Sequence, residues 1–109
     1  METKNVNKTA AQDAIATRTA LIGIVVEDGS SVDKLNSILH DYKKFILGRM
    51  GLPHPAKEIS IISIAMEAPA DTISALSGKL GALPGVSTKT IFSKVYFKSA
   101  VITTALFRL

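Results

Sequence analysis

The sequence contains no cysteine among its 109 residues. Without thiols the chain cannot form a disulfide scaffold, a thiolate zinc site or an iron–sulfur centre, and it has no cysteine nucleophile. Any function must therefore rest on its other side chains.

Dense charge and long hydrophobic runs are also lacking. The net charge is +4, but lysine and arginine are scattered and never form the block that is typical of a nucleic-acid-binding surface. No segment reaches the roughly 18 uninterrupted apolar residues of a membrane span, and the N-terminus lacks a signal-peptide core. We expect a soluble, cytoplasmic protein with no membrane partner.

The overall composition predicts one folded domain. Apolar residues make up 47% of the chain and charged residues 20%, which is too apolar for a disordered protein. Residues 1–17 are polar and read as a flexible N-terminal arm, whereas the domain spans residues 18–94. Residues 95–109, VYFKSAVITTALFRL, form an apolar extension that is either an added edge strand or a swapped arm.

The first half of the domain predicts strand, helix and strand. TALIGIVVE is a near-continuous aliphatic strand, and the helix that follows has apolar residues at helical spacing. Ser30 and Asp33 form a capping-box pattern at its start. FILGRMG is a weaker strand, and Pro53 and Pro55 predict an irregular connection after it.

The second half repeats this order. EISIISIAME predicts a strand, APADTISALSGKLG a helix with one apolar face, and VSTKTIFSK a β-branched strand. Pro69 marks the start of the helix and Gly81 its end. The apolar face of this helix is formed by Ile73, Leu76 and Leu80.

A duplicated β-α-β order is typical of the ferredoxin-like or ACT-like α+β fold, βαββαβ. That fold has a four-stranded antiparallel sheet with two helices on one face, here with room for an extra C-terminal strand. Its first and third strands lie in the middle of the sheet. Those are the most aliphatic strands of this sequence, as the fold requires.

The third strand predicts that both sheet faces are apolar. Ile59 and Ile61 point to one face, and Ile62, Ile64 and Met66 to the other. Because two helices cover only one face, we expect the other face to meet a second subunit in a dimer or tetramer.

Catalytic and metal-binding patterns are weak. The two histidines, His40 and His54, have no recognised ligand spacing, and no serine sits in a nucleophile elbow. Gly81 and Gly85 follow a helix instead of opening one, so they predict a cap and a turn and not a phosphate loop. We expect no catalytic residue, no metal and no cofactor, and therefore no enzyme.

The turn after the first strand is the candidate effector site. Free N–H groups and the helix dipole favour a carboxylate there, with an arginine contributed by a neighbouring subunit. The alternative is that Ser30 only caps the helix and that the arginine is an edge-strand charge that discourages aggregation. The candidate residues are Glu27, Asp28, Gly29, Ser30, Ser31 and Arg49.

The segments GRMGLP, ISIIS, ISALSGKLG and LPGVS occur in this order within residues 19 to about 94. In this the chain resembles the family of iron-only hydrogenase system regulators, which are ACT-like. The resemblance implies a non-enzymatic regulatory domain that binds a small effector. It also implies an architecture shared with the oligomerising, effector-binding half of nickel-responsive repressors.

Two departures from the nickel-responsive repressors limit this implication. The chain has no cysteine and no histidine cluster for nickel, and its N-terminal arm is too short for a ribbon-helix-helix domain. We therefore expect DNA contact only through a partner protein. A purely structural oligomerisation module, or metal sensing through His40 or His54, remain the alternatives.

Overall fold

The computed structural model describes residues 16–97, so most of the predicted arm (1–17) and extension (95–109) lies outside the described residues. The strands and helices follow the predicted βαββαβ order. Single 3-10 turns, Gly29–Ser31 and Lys43–Phe45, precede and follow the first helix. The elements are β1 (Thr17–Val26), α1 (Val32–Asp41), β2 (Ile46–Pro53), β3 (Ser60–Ala68), α2 (Ala70–Gly81) and β4 (Val86–Phe97).

The four strands form one antiparallel sheet in the order β2-β3-β1-β4. The predicted central position of β1 and β3 is confirmed. Each central strand has a neighbouring strand on both sides. Its inward side chains are therefore well buried, and this is consistent with the high aliphatic content of β1 and β3. The protein thus has the α+β, ferredoxin-like or ACT-like fold. Within residues 16–97, no helix is long and apolar enough to cross a membrane.

One hydrophobic core lies between the sheet and the two helices. Its helical part includes all three residues predicted for α2, which are fully buried, together with Leu35 and Leu39 of α1. Burying a leucine side chain stabilises the fold by about 2 kcal/mol, so these residues anchor both helices to the sheet. The inward residues of the strands are Ala20, Ile22, Ile24, Val26, Ile62, Ile64, Met66, Ala68 and Val86.

The strand register places alternate residues on a second face that the helices do not cover. Ile61 is 45% exposed on this face, whereas Ile62, Ile64 and Met66 are 8% exposed or less. The alternation predicted for the third strand is therefore confirmed. We call this surface the helix-free face, and define it by the outward residues of the four strands.

The start of α1 differs from the prediction. Asp28, and not Ser30, caps the helical segment: its Oδ1 accepts hydrogen bonds from the Ser30 amide at 2.9 Å and the Ser30 hydroxyl at 2.7 Å. The predicted cap at Ser30 is therefore wrong. The reason is the 3-10 turn, which begins the helical hydrogen bonding before α1 and shifts the cap toward the N-terminus.

The second strand is also longer than predicted. Pro53 pairs with Ser60 as the last residue of β2, although proline was expected to end the ladder before this point. An edge strand tolerates proline, because the missing N–H leaves no ladder bond unmade when it faces solvent. The His54 amide then donates to the Ile59 carbonyl at 2.8 Å and closes the connection to β3.

Gly85, in the loop between α2 and β4, packs against Asp28 in the turn between β1 and α1. Its φ is +69°, and a Cβ at this position would lie 2.5 Å from the Asp28 Cβ. Only glycine fits both the left-handed backbone and the close approach. The Glu27 amide donates to the Gly85 carbonyl at 2.7 Å, so this contact fixes the turn between β1 and α1.

Candidate functional site

A cavity of about 220 Å³ lies between α1 and the edge strand β2. Its walls are mainly aliphatic, and its polar residues are Asn36 of α1, Arg49 of β2 and Ser60 of β3. We call it the α1–β2 cavity. The aliphatic side chains that line it are Val26, Val32, Leu35 and Ile62; Leu52 also borders it, but its register with Ile61 places the Leu52 side chain on the helix-free face.

Gly51 explains why this space exists. The register pairs Gly51 with Ile62, whose side chain is buried under the helices, so Gly51 occupies an inward position of β2. Having no side chain, it leaves the gap between α1 and the sheet unfilled. A Cβ added there would approach nothing closer than the Ile61 carbonyl oxygen at 4.0 Å, so the cavity has room for a side chain.

Arg49 also lies on the inward side of β2, two residues before Gly51. Its Nη2 donates a 2.8 Å hydrogen bond to Asn36 Oδ1, which links β2 to α1 at the cavity. Arginine has five N–H donors and no acceptor, so the amide oxygen of Asn36 must face it and the amide NH₂ is left as a donor. In the described part of the chain, no carboxylate pairs with Arg49.

The five turn residues predicted as an effector site are held by bonds within the chain. The Ser31 hydroxyl is buried and donates to the Pro84 carbonyl at 2.6 Å. The Ser31 amide donates to the Asp28 carbonyl at 3.0 Å. Two hydrogen bonds hold the pKa of Asp28 below its ordinary value: the one from the Ser30 hydroxyl has the larger effect, and the one from the Ser30 amide adds to it.

The cavity and the turn are neighbours but do not coincide. Val26 and Val32, which line the cavity, flank the turn on either side, whereas the cavity wall itself contains none of residues 27–31. Of the six predicted site residues, the cavity wall includes Arg49 alone. The effector role of all six stays a prediction.

Sequence reasoning missed Asn36 and the inward role of Gly51. The signal for Gly51 was present, because residues 49 and 51 share a strand face at period two. Asn36 adjoins the apolar stripe of α1, four residues after Val32 and one after Leu35, so it borders the buried side of the helix. Its pairing with Arg49 could not be read from the sequence, because it depends on how α1 lies over β2.

The two histidines lie in different surroundings. His40 is exposed on α1. His54 Nδ1 accepts a hydrogen bond from the Ala56 amide at 3.0 Å, which stabilises the turn after β2. Among the described residues, no three histidine or acidic side chains are grouped so that they could hold a metal ion.

Comparison with known proteins identifies relatives of the chain. A family model for TM1266-like proteins, described as "Iron-only hydrogenase system regulator, putative", matches residues 18–90. The solved structure of the uncharacterized protein TM1266 from Thermotoga maritima is 37% identical, with a TM-score of 0.68. The match covers 72% of this chain and 99% of that one. No curated protein matches the chain.

A more distant structure shows the same fold. A formyltetrahydrofolate deformylase from Pseudomonas putida KT2440 has a TM-score of 0.50 and 10% identity, and the match covers 67% of this chain but 28% of the deformylase. At this identity the likeness concerns the fold alone. The match to the family model and the 37% identity to TM1266 show that the chain belongs to the TM1266-like family of iron-only hydrogenase system regulators.

Proposed function

We propose that the chain is a non-enzymatic, cytoplasmic regulatory domain that assembles into dimers or tetramers through its helix-free face and binds a small effector. The observation that carries the assembly is the exposed apolar surface of this face. In such a domain the effector acts by changing how subunits pair, and DNA is reached only through a partner protein.

Three rows of the helix-free face run across the sheet and carry its exposed apolar side chains; the next row holds Thr19 and Glu67. The first row contains Val25, Ile61 and Leu52, and the third contains Leu21 and Ile91. The middle row is less apolar: it contains Met50 with Gly23, Ser63 and Lys89. In these three rows Lys89 is the one charged residue.

The exposure of this surface favours a covering subunit. Its six large apolar side chains are between 38% and 67% exposed. With strands about 4.8 Å apart and a rise of about 3.4 Å per residue, the three rows cover roughly 400 Å². Patches of this size on monomers are often functional, and a two-fold axis over the face would pair the rows of one subunit with those of another.

The assembly is tested by placing a charge in the apolar first row of the face. Ile61→Glu buries a carboxylate in the proposed interface, so we expect sedimentation velocity to show dissociation to monomers. Ala75→Glu adds the same charge to an exposed position of α2 and should leave the sedimentation coefficient unchanged. A wild-type protein that is monomeric at all concentrations, or an Ile61→Glu variant that still assembles, would contradict the proposal.

A purely structural module without a ligand is the second candidate. The observation that favours it is the hydrogen bonding within the turn. Ser30 donates two hydrogen bonds to the Asp28 carboxylate, and the Ser31 hydroxyl donates to the Pro84 carbonyl in the loop before β4. These groups explain the turn without an effector. The two candidates differ in whether any ligand changes the thermal stability or the assembly of the protein.

A further inference from the structure

We propose that the α1–β2 cavity binds a small aliphatic monocarboxylate that carries no amine, with its carboxylate held by Arg49. The inference rests on the proposed regulatory function, because this ligand would be the effector. It departs from the sequence-based site, since it places the ligand beside the turn, within one subunit, and not on the turn.

The size of the cavity sets the size of the ligand. A volume of about 220 Å³ is below the range of about 300–1,000 Å³ that drug-sized ligands occupy. The site therefore suits a ligand smaller than a drug-sized one, such as a short branched acid.

The cavity walls set the chemistry of the ligand body. Leu35 is fully buried and Ile62 is 8% exposed, so they form an apolar floor. Val32 is 37% exposed and lies on the side open to solvent. An aliphatic ligand would cover this side chain and gain about 25 cal/mol for each Å² of apolar surface removed from water.

The polar groups set the charge of the ligand. Among the described residues that line the cavity, Arg49 is the only ionisable one, and Asn36 and Ser60 can each donate a hydrogen bond as well. A carboxylate would therefore meet a cation and further donors. An ammonium group would meet no carboxylate from residues 16–97, because none of those that line the cavity is an aspartate or glutamate. This favours a simple carboxylate over a zwitterionic amino acid.

Arg49 is placed to reach such a ligand without rearrangement of the fold. One of its N–H groups is used by Asn36, and this bond orients the guanidinium between β2 and α1. The guanidinium fork matches a carboxylate in a bidentate arrangement. Gly51, next on the same face of β2, supplies the empty volume beside it.

The test uses three probes with one carbon skeleton, titrated into the full chain by calorimetry at neutral pH. The probes are 4-methylpentanoate, its uncharged amide 4-methylpentanamide, and leucine, which adds an ammonium group. We expect saturable binding of 4-methylpentanoate, with both other probes about tenfold weaker or more. Leucine binding as tightly as the simple acid would overturn the assignment, as would the absence of any binding by 4-methylpentanoate.

Two variants locate the binding. Arg49→Gln removes the charge at an exposed position, and we expect about tenfold weaker binding of 4-methylpentanoate. Gly51→Val keeps Arg49 but fills the cavity, so binding should be lost. Gly48→Val, on the outward side of the same strand, should bind like the wild type. Thermal melting checks that each variant is folded.

The outcomes separate this inference from the assembly proposal. Binding that survives Gly51→Val in a folded variant would place the acid elsewhere and refute the cavity. If Ile61→Glu dissociates the protein but no acid binds, the ligand inference fails and the assembly stands. If the acid binds to a protein that is always monomeric, the reverse holds.

Discussion

The two halves of the chain each place a helix over an edge strand, but they pack these elements differently. In the first half, α1 and β2 flank a solvent-open cavity, and Arg49 and Asn36 bridge the two elements there. In the second half, α2 closes onto β4: the Ser77 hydroxyl lies 3.1 Å from Thr88 Oγ1. The same order of elements thus gives an open half and a closed half.

The difference follows from the inward residues of the two edge strands. Those of β4 include Thr88 and Phe92, which fill the space under α2 and beside the core. At the corresponding part of β2, Gly51 has no side chain and Arg49 extends toward α1. Side-chain volume on the edge strand, and not topology, decides whether a helix leaves room for a ligand.

The largest expected effect comes from comparing leucines in the two halves. Leu76 and Leu35 are both fully buried, and Leu→Ala at such sites costs about 3–5 kcal/mol. We expect about 4 kcal/mol for Leu76→Ala, which leaves a closed void. Leu35→Ala should cost about 3 kcal/mol, because α1 can settle into the cavity beside it. Urea denaturation measures both, and equal losses would contradict the open and closed description.

A smaller effect is expected at the glycines of the two halves. Gly51→Ala places its methyl in open space and should stabilise the fold by about 0.5–1 kcal/mol by restricting the unfolded chain. Gly81→Ala places its methyl 3.1 Å from Thr88 Oγ1, so the gain from helix propensity should be offset by displacement of Thr88.

Gly78→Ala is the control for this comparison. It lies in the same helix as Gly81, but an added methyl meets nothing within 4 Å, so it should give the full gain of about 1 kcal/mol. Thermal denaturation resolves these changes, since 1 kcal/mol shifts Tm by about 4–8 °C in a domain of this size. A gain at Gly81 equal to that at Gly78 would show that the second half is not tightly closed.

The smallest effect concerns the starts of the two helices. The Ser30 hydroxyl and amide hold the pKa of Asp28 below its ordinary value of 3.8. A carboxyl whose folded pKa is lowered stabilises the protein above its unfolded pKa, and this contribution is lost as the pH falls through the folded pKa. Ser30→Ala should therefore make the loss of stability in acid shallower, as measured by urea denaturation across the titration range of aspartate.

The second helix supplies the control. Its N-cap, Pro69, makes no side-chain capping bond, and Asp71 lies in its first turn without such a network. Asp71→Asn should leave the Asp28-dependent part of the acid profile in place, whereas Asp28→Asn should remove it. An acid profile that is unchanged in both Asp28→Asn and Ser30→Ala would refute the capping contribution.

Much of the fold could be predicted because its signals are local. The period of β3 assigned Ile61 and Ile62 to opposite faces, and helical spacing identified Leu76 as a core residue. The cap and the end of β2 were mispredicted for a different reason. A 3-10 turn displaced the cap to Asp28, and Pro53 pairs with Ser60 at the edge of the sheet, where proline is tolerated.

The candidate site was predicted only in part. Arg49 was selected from its unusual position between glycines, but as a contact to a neighbouring subunit. The turn residues were selected for free amide groups, whereas those of Ser30 and Ser31 are bonded within the turn. Residue type indicates which groups can bind an anion, but their availability depends on bonds that form only when the chain folds.

The sequence by itself determined the order of elements, the central strands and the apolar faces of both helices, because periodicity and aliphatic content act over a few neighbouring residues. Tertiary structure decided that Gly51 lies under α1, that Arg49 meets Asn36, and that a cavity separates the helix from β2. These features require residues distant in sequence to approach, and their geometry follows from how the helices settle on the twisted sheet.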